Sequence, residues 1–144
     1  MKQIIPKTVI DTLGQILMVL IFAGALWSGQ AVAGQVEIVK VQFELQGSSW
    51  HVNTTLRHDD TGWDHYADGW RVVDEKGKEL GMRTLYHPHE TEQPFTRGLS
   101  NVMIPEGVSV VFVEAHDKVH GWSKQRVRVD LTKTRGDRFV VHRK

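Results

Sequence analysis

Trp50-His51-Val52-Asn53-Thr54-Thr55-Leu56-Arg57 decides the fold. Trp50, Val52, Thr54 and Leu56 fall on one side of a period of two, with His51, Asn53, Thr55 and Arg57 on the other. That alternation is the pattern of a half-buried β-strand. The same period recurs outward in both directions. Upstream, Val36-Ile38 and then Val39-Val41-Phe43-Leu45 read as a first strand, with a change of phase near Ile38-Val39, and Gly47-Ser48-Ser49 turns the chain. Downstream, Trp70-Val72 with Tyr66 and Ala67 predicts a third strand. A turn over Asp74–Lys78 leads to Leu80–Thr84, with Leu85 and Tyr86 following. Phe95–Ile104, Val108–Ala115 and Gln125–Leu131 supply three more, and Phe139–Val141 suggests a short edge piece. No stretch after residue 33 sustains an apolar period of 3.6. The pattern predicts an all-β chain: one immunoglobulin-like sandwich of about seven antiparallel strands with turns at the usual spacing.

The first 33 residues read differently. Lys2 and Lys7 form a positive start, Ile16 to Leu26 is almost wholly apolar, and Ser28-Gly29-Gln30 breaks the run before Ala31-Val32-Ala33. This is the order of a secretory signal peptide, with cleavage expected after Ala33 and Gly34 as the new N-terminus. The other reading is a retained membrane anchor. A spanning helix needs about 20 apolar residues, and this core is nearer about 13. The expected organisation is a leader over 1–33, a sandwich over 34–132 and a basic tail over 133–144, carrying Arg135, Arg138, Arg143 and Lys144 and the short edge piece. The expected location is periplasmic or secreted, with no stable membrane span after cleavage.

There is no cysteine in the 144 residues, so no disulfide forms and burial must stabilise the fold. The absence also excludes lipid attachment at a lipobox cysteine. A formal net charge of +1 gives no electrostatic case for nucleic acid. Enzyme motifs are missing: no G-x-S-x-G, no cysteine nucleophile, no phosphate-cradling glycine loop. A small hydrolase using paired carboxylates (Asp59 with Asp64, Glu90 with Glu92) would need a cleft that such a domain rarely forms. The expectation is therefore a non-enzyme.

Two resemblances follow from the residues. Leu99…Ile104-Pro105-Glu106-Gly107-Val108…Val111-Phe112-Val113-Glu114-Ala115-His116-Asp117…Gly121-Trp122-Ser123 resembles the E–F–G region of fibronectin type III domains. There, a Pro-Gly corner enters a valine-rich strand, and the resemblance bears on fold, not function. The string Arg57-His58-Asp59-Asp60-Thr61-Gly62-Trp63-Asp64-His65-Tyr66-Ala67-Asp68-Gly69-Trp70, with His87-Pro88-His89-Glu90 and Glu92-Gln93-Pro94-Phe95-Thr96-Arg97, looks like a family of small exported proteobacterial proteins of uncharacterised function. It implies no activity.

Antiparallel connections reverse the chain at alternate ends. Loops 47–49, 74–78 and 105–107 then share one end, and loops 58–65, 87–94 and 116–122 share the other. The second set holds six of the eight histidines: His58, His65, His87, His89, His116 and His120. It also holds Asp59, Asp60, Asp64, Glu90, Glu92, Asp117, Trp63 and Trp122. Loops on a rigid sandwich concentrate binding residues. The first functional expectation is a periplasmic binding or interaction module that meets an envelope protein or small ligand through Trp63, Asp64, Glu90, Arg97, Asp117 and Trp122. The second is a zinc or copper(II) protein. In His87-Pro88-His89, proline keeps His87 extended, so the two rings point the same way as core ligands. His58, His65, His116 or His120 would complete the set. A third reading needs no ligand: histidines and aspartates bonding one another to fix long loops, with Asp64 to His65 and Asp117 to His120. Trp50 and Trp70 fit the core, and Arg97 is expected to pair with Asp64 or Asp68, or to hold a ligand carboxylate.

Overall fold

Pairing begins in the hairpin of β1 (Glu37–Gln46) and β2 (Ser49–Arg57), whose register runs from Glu37 opposite Arg57 to Gln46 opposite Ser49. In β2 the alternation is met residue for residue: Trp50, Val52, Thr54 and Leu56 are buried. The phase change in β1 is a bulge between Ile38 and Lys40, after which Val41 and Phe43 point inward. A bulge adds one residue to a strand and so moves its later side chains to the other face. The computed structural model describes residues 34–143, and Gly34–Lys144 forms a compact unit. The expected leader over 1–33 and the terminal Lys144 lie outside the described residues. Among the described residues, no helix is long and apolar enough to cross a membrane.

The chain continues as β3 (Ala67–Asp74), β4 (Glu79–Thr84), β5 (Phe95–Val102), β6 (Val110–Asp117), β7 (Gly121–Asp130), β8 (Arg135–Gly136) and β9 (Phe139–Arg143). One sheet has the order β5-β2-β1-β9-β8 and the other β4-β3-β6-β7. The described residues form an all-β sandwich of nine strands, two more than the about seven expected. The seven anticipated strands pair with one another antiparallel within each sheet. Val41, Phe43, Val52, Leu56 and Phe95 from the first sheet meet Trp70, Val72, Val111, Val113, Val127 and Val129 from the second in one core.

Two boundaries differ from the sequence reading. Strand β7 starts at Gly121, so Trp122 is a strand residue opposite His116 and not part of a loop. Residues 133–143 are not a solvated tail ending in an edge strand. Strand β9 runs parallel to β1, from Val41 opposite Phe139 to Leu45 opposite Arg143, and lies between β1 and β8. Its Phe139 and Val141 are buried. Gly136 is needed beneath it, because a Cβ there would meet the Phe139 ring at 2.2 Å. The basic residues hold this segment in place. Arg138, at φ 59°, donates to Glu37 Oε1 at 3.0 Å and to Ile38 O at 2.8 Å. That hydrogen bond, with burial opposing and Arg57 assisting, holds the Glu37 carboxyl below its usual range. Arg143 donates to Leu131 O and lies over the Trp50 ring.

If β9 is integral to the core, Phe139→Ala should lower the unfolding free energy by about 3 kcal/mol, as truncation of buried phenylalanine does. Arg135→Ala, at an exposed position of the same segment, should stay within about 0.5 kcal/mol. Urea denaturation of both variants checks this, and equal small effects would return the segment to the status of a tail.

Candidate functional site

The β2–β3, β4–β5 and β6–β7 connections meet at one end of the sandwich, and two buried carboxylates organise them. Asp60 follows β2 by three residues. Its side chain is fully buried and satisfied by three donors. The His58 ring donates through Nδ1 to Oδ1 at 2.6 Å, the Ala67 N–H donates to Oδ1 at 2.9 Å, and the His89 N–H donates to Oδ2 at 2.6 Å. A buried carboxylate is tolerable only with such partners. Asp60 thus joins the β2–β3 connection to the segment before β5.

Asp117 ends β6 and is also fully buried. Its Oδ1 accepts the Val119 and His120 N–H groups at 2.9 and 2.8 Å and the His120 ring Nδ1–H at 3.0 Å. Burial pushes this carboxyl up, but the two backbone N–H groups and the His120 ring outweigh it, and the group ends below its usual value. The other oxygen, Oδ2, is buried with no hydrogen-bond partner. His65 Nε2 is likewise buried and unpartnered, 3.6 Å from Asp117 Oδ1. The His65 ring lies between two others, with centroids 4.9 Å from His58 and 5.1 Å from His120. One donor atom from each of His58, His65 and Asp117 lies within 4.8 Å of the others. Tetrahedral zinc with ligands at about 2.0–2.1 Å sets its donors roughly 3.3 Å apart. The trio would close by up to about 1.5 Å to hold such an ion.

One ring N–H of His58 is held on a carboxylate, as in many metal-ligating histidines, and its second nitrogen faces a backbone carbonyl. That second nitrogen, Nε2, lies 3.0 Å from the carbonyl oxygen of Gly34.

The other expected residues have different surroundings. His87 and His89 remain neighbours, with ring centroids 4.5 Å apart, but they are not part of the trio. His89 is drawn inward by the bond from its N–H to Asp60. Its ring stacks on Phe95 at 3.9 Å, and both ring nitrogens are buried without partners. His87 stays exposed, with Nδ1 on the adjoining Pro88 carbonyl. His116 donates to Asp68 at 2.5 Å, and its ring meets Trp122 edge-on. Trp122 is half-buried, with the Arg71 guanidinium 3.8 Å above it. Trp63 is 64% exposed. Asp64 and Glu90 are also exposed. Arg97 grips Glu92 in a two-pronged pair at 3.2 and 2.9 Å, and not Asp64 or Asp68. Asp117 does bind His120, as the network reading expected. Asp60 received no specific role from the sequence; its clue was the His58-x-Asp60 spacing just past a strand end.

No family model matches the chain. The chain is 44% identical over 97 residues to a protein of Halomicrobium mukohataei described as a "Putative lipoprotein". The match covers 67% of this chain and 47% of the relative, so the chain spans about half the length of the curated relative it matches. That relative is archaeal and so lends no support to a proteobacterial origin of the family. No solved structure matches.

Burial lowers the His89 proton affinity, with Arg97 and His87 adding to the effect and Asp60 opposing it. The unfolded chain therefore takes up that proton first. Native stability should be full above the ordinary histidine value of about 6.5. It should fall as the pH drops below that value, until the folded ring also protonates. The urea midpoint should decline between pH 7 and pH 5, and decline less in His89→Phe, which keeps the stack on Phe95. Equal declines in both proteins would show that His89 protonation does not control acid stability.

Proposed function

We propose that this domain is an exported binding module of immunoglobulin-like, fibronectin type III kind that holds a divalent transition-metal ion, zinc or copper(II), between His58, His65 and Asp117. The observation that carries the reading is that two buried side-chain atoms have no hydrogen-bond partner, His65 Nε2 and Asp117 Oδ2, on residues that gather with His58. Orphaned buried polar atoms are rare because each costs about 1–3 kcal/mol. A cation placed among them would remove that cost.

Asp60 holds the His58 ring through Nδ1, so that Nε2 would ligate on releasing the proton it shares with the Gly34 carbonyl. Two imidazoles and a carboxylate suit zinc and copper(II) better than softer ions. The module is read as a binder and not as an enzyme. The export signal of Ala31-Val32-Ala33 and the relative's printed name support an envelope or secreted location. Without a cysteine, the chain has no residue of its own for a lipoprotein's thioether anchor. A docking role at the same end is a second reading, favoured by the exposure of Trp63, Tyr86 and Val119.

Zinc or copper(II) at a hundredfold excess over Kd should stabilise the domain by about 2.7 kcal/mol, a rise in Tm of roughly 10 °C for a domain this size. His65→Ala should abolish the response and His87→Ala should leave it intact. A wild-type protein indifferent to both ions would overturn the metal reading.

A further inference from the structure

Gly34 is where the folded unit and the expected cleavage point coincide. The compact unit begins at Gly34, and Ala31-Val32-Ala33 immediately precedes it. Gly34 also lies inside the histidine cluster. Its carbonyl oxygen is 3.0 Å from His58 Nε2, the donor that the metal reading needs. Its α-carbon is pressed against the His120 ring: a Cβ there would lie 2.7 Å from Cε1 and 3.0 Å from Nε2. Its φ of +107° belongs to glycine alone. Only a glycine fits this place.

Covalent geometry then places the nitrogen. Bond lengths of about 1.46, 1.52 and 1.23 Å keep a residue's nitrogen within roughly 4 Å of its own carbonyl oxygen. The Gly34 nitrogen is therefore at the rim of the cluster whichever way it turns. Before cleavage it is an amide, whose lone pair is delocalised into the carbonyl and is a poor donor. Hydrolysis of the Ala33–Gly34 bond adds hydroxyl to the Ala33 carbonyl carbon and hydrogen to the Gly34 nitrogen. The product is a primary amine close to the His58 and His120 rings.

We infer that leader removal completes the metal site: the free α-amine of Gly34, with its own carbonyl oxygen, closes a five-membered chelate on an ion held by His58, His65 and Asp117. The amine sheds its ammonium proton to solvent as it binds. The His58 Nε2–H that donates to the Gly34 carbonyl oxygen in the empty site loses its proton to solvent as the oxygen turns to the ion, and the nitrogen's freed lone pair ligates. This rests on the metal reading above and adds a timing to it. The chain binds the ion tightly only after export and processing, so the unprocessed form does not compete for metal in the cytoplasm.

The test compares two forms of the protein. One is produced with its leader, exported and purified after cleavage, with its N-terminus read by mass spectrometry. The other carries Val32 and Ala33 ahead of Gly34. Zinc and copper(II) affinities are measured for both. Copper(II) electron paramagnetic resonance is recorded on the exported form grown with ordinary and with ¹⁵N-glycine. The processed protein should begin at Gly34 and bind at least tenfold more tightly than the extended form. Its spectrum should show one nitrogen ligand that changes with glycine labelling. The spectrum needs only the processed protein, so the test survives if the extended form folds poorly. Equal affinities with no label-sensitive nitrogen, while His65→Ala still abolishes binding, would overturn the amine and leave the metal site standing. An N-terminus other than Gly34 would also overturn it. Absence of binding in both forms would remove the underlying reading as well.

Discussion

The bond set of Asp60 is the constraint on which the functional end depends. One buried carboxylate takes the His58 ring, the start of β3 at Ala67 and the backbone of His89. Hydrogen bonds to a charged group contribute about 1.5–3 kcal/mol each, and here they span two connections that are far apart in sequence. Asp117 performs the same task for the short link between β6 and β7. In a cysteine-free domain these two acids act as the cross-links of the loop end. Their positions then determine which histidines can face one another. The His58 ring is oriented by Asp60 through Nδ1, and the His120 ring by Asp117 in the same way.

The sandwich was legible because its signal is local. Period-two burial in Trp50–Leu56 and the phase change at Ile38-Val39 are properties of adjacent residues, and both reappear as inner faces and a bulge. Loop parity was legible too, since antiparallel reversal needs only a count of strands. What could not be read depended on distant partners. Strand β7 begins at Gly121-Trp122-Ser123, a turn-like triplet that becomes a strand through its pairing with β6. Strand β9 is short and basic at its end, and its parallel partner β1 lies at the far end of the domain's sequence.

The site divides along the same line. That six histidines belong to one end follows from topology, but which donors converge follows from which acids are buried. His87-Pro88-His89 has the stiffness of a chelating pair, yet the pull of Asp60 on the His89 backbone buries one ring against Phe95 and leaves the other in solvent. Asp60 and Asp59 are indistinguishable by composition. One step along the chain after β2 turns the first inward and the second outward, so their roles separate only once the strand end is fixed.

The parallel pairing of β9 with β1 carries a consequence for association. An uncovered β1 would present a row of unpaired peptide groups along a strand with apolar residues, a template for joining another chain. Strand β9 occupies that row, and β8, only two residues long, closes the sheet behind it. Both borders of the second sheet are poor templates in their own ways: β7 carries Lys124, Arg126 and Arg128, and β4 is short with charged Glu79 and Arg83. The last strands of the chain therefore act as a selvedge. They keep the folded domain from meeting its own copies edge to edge.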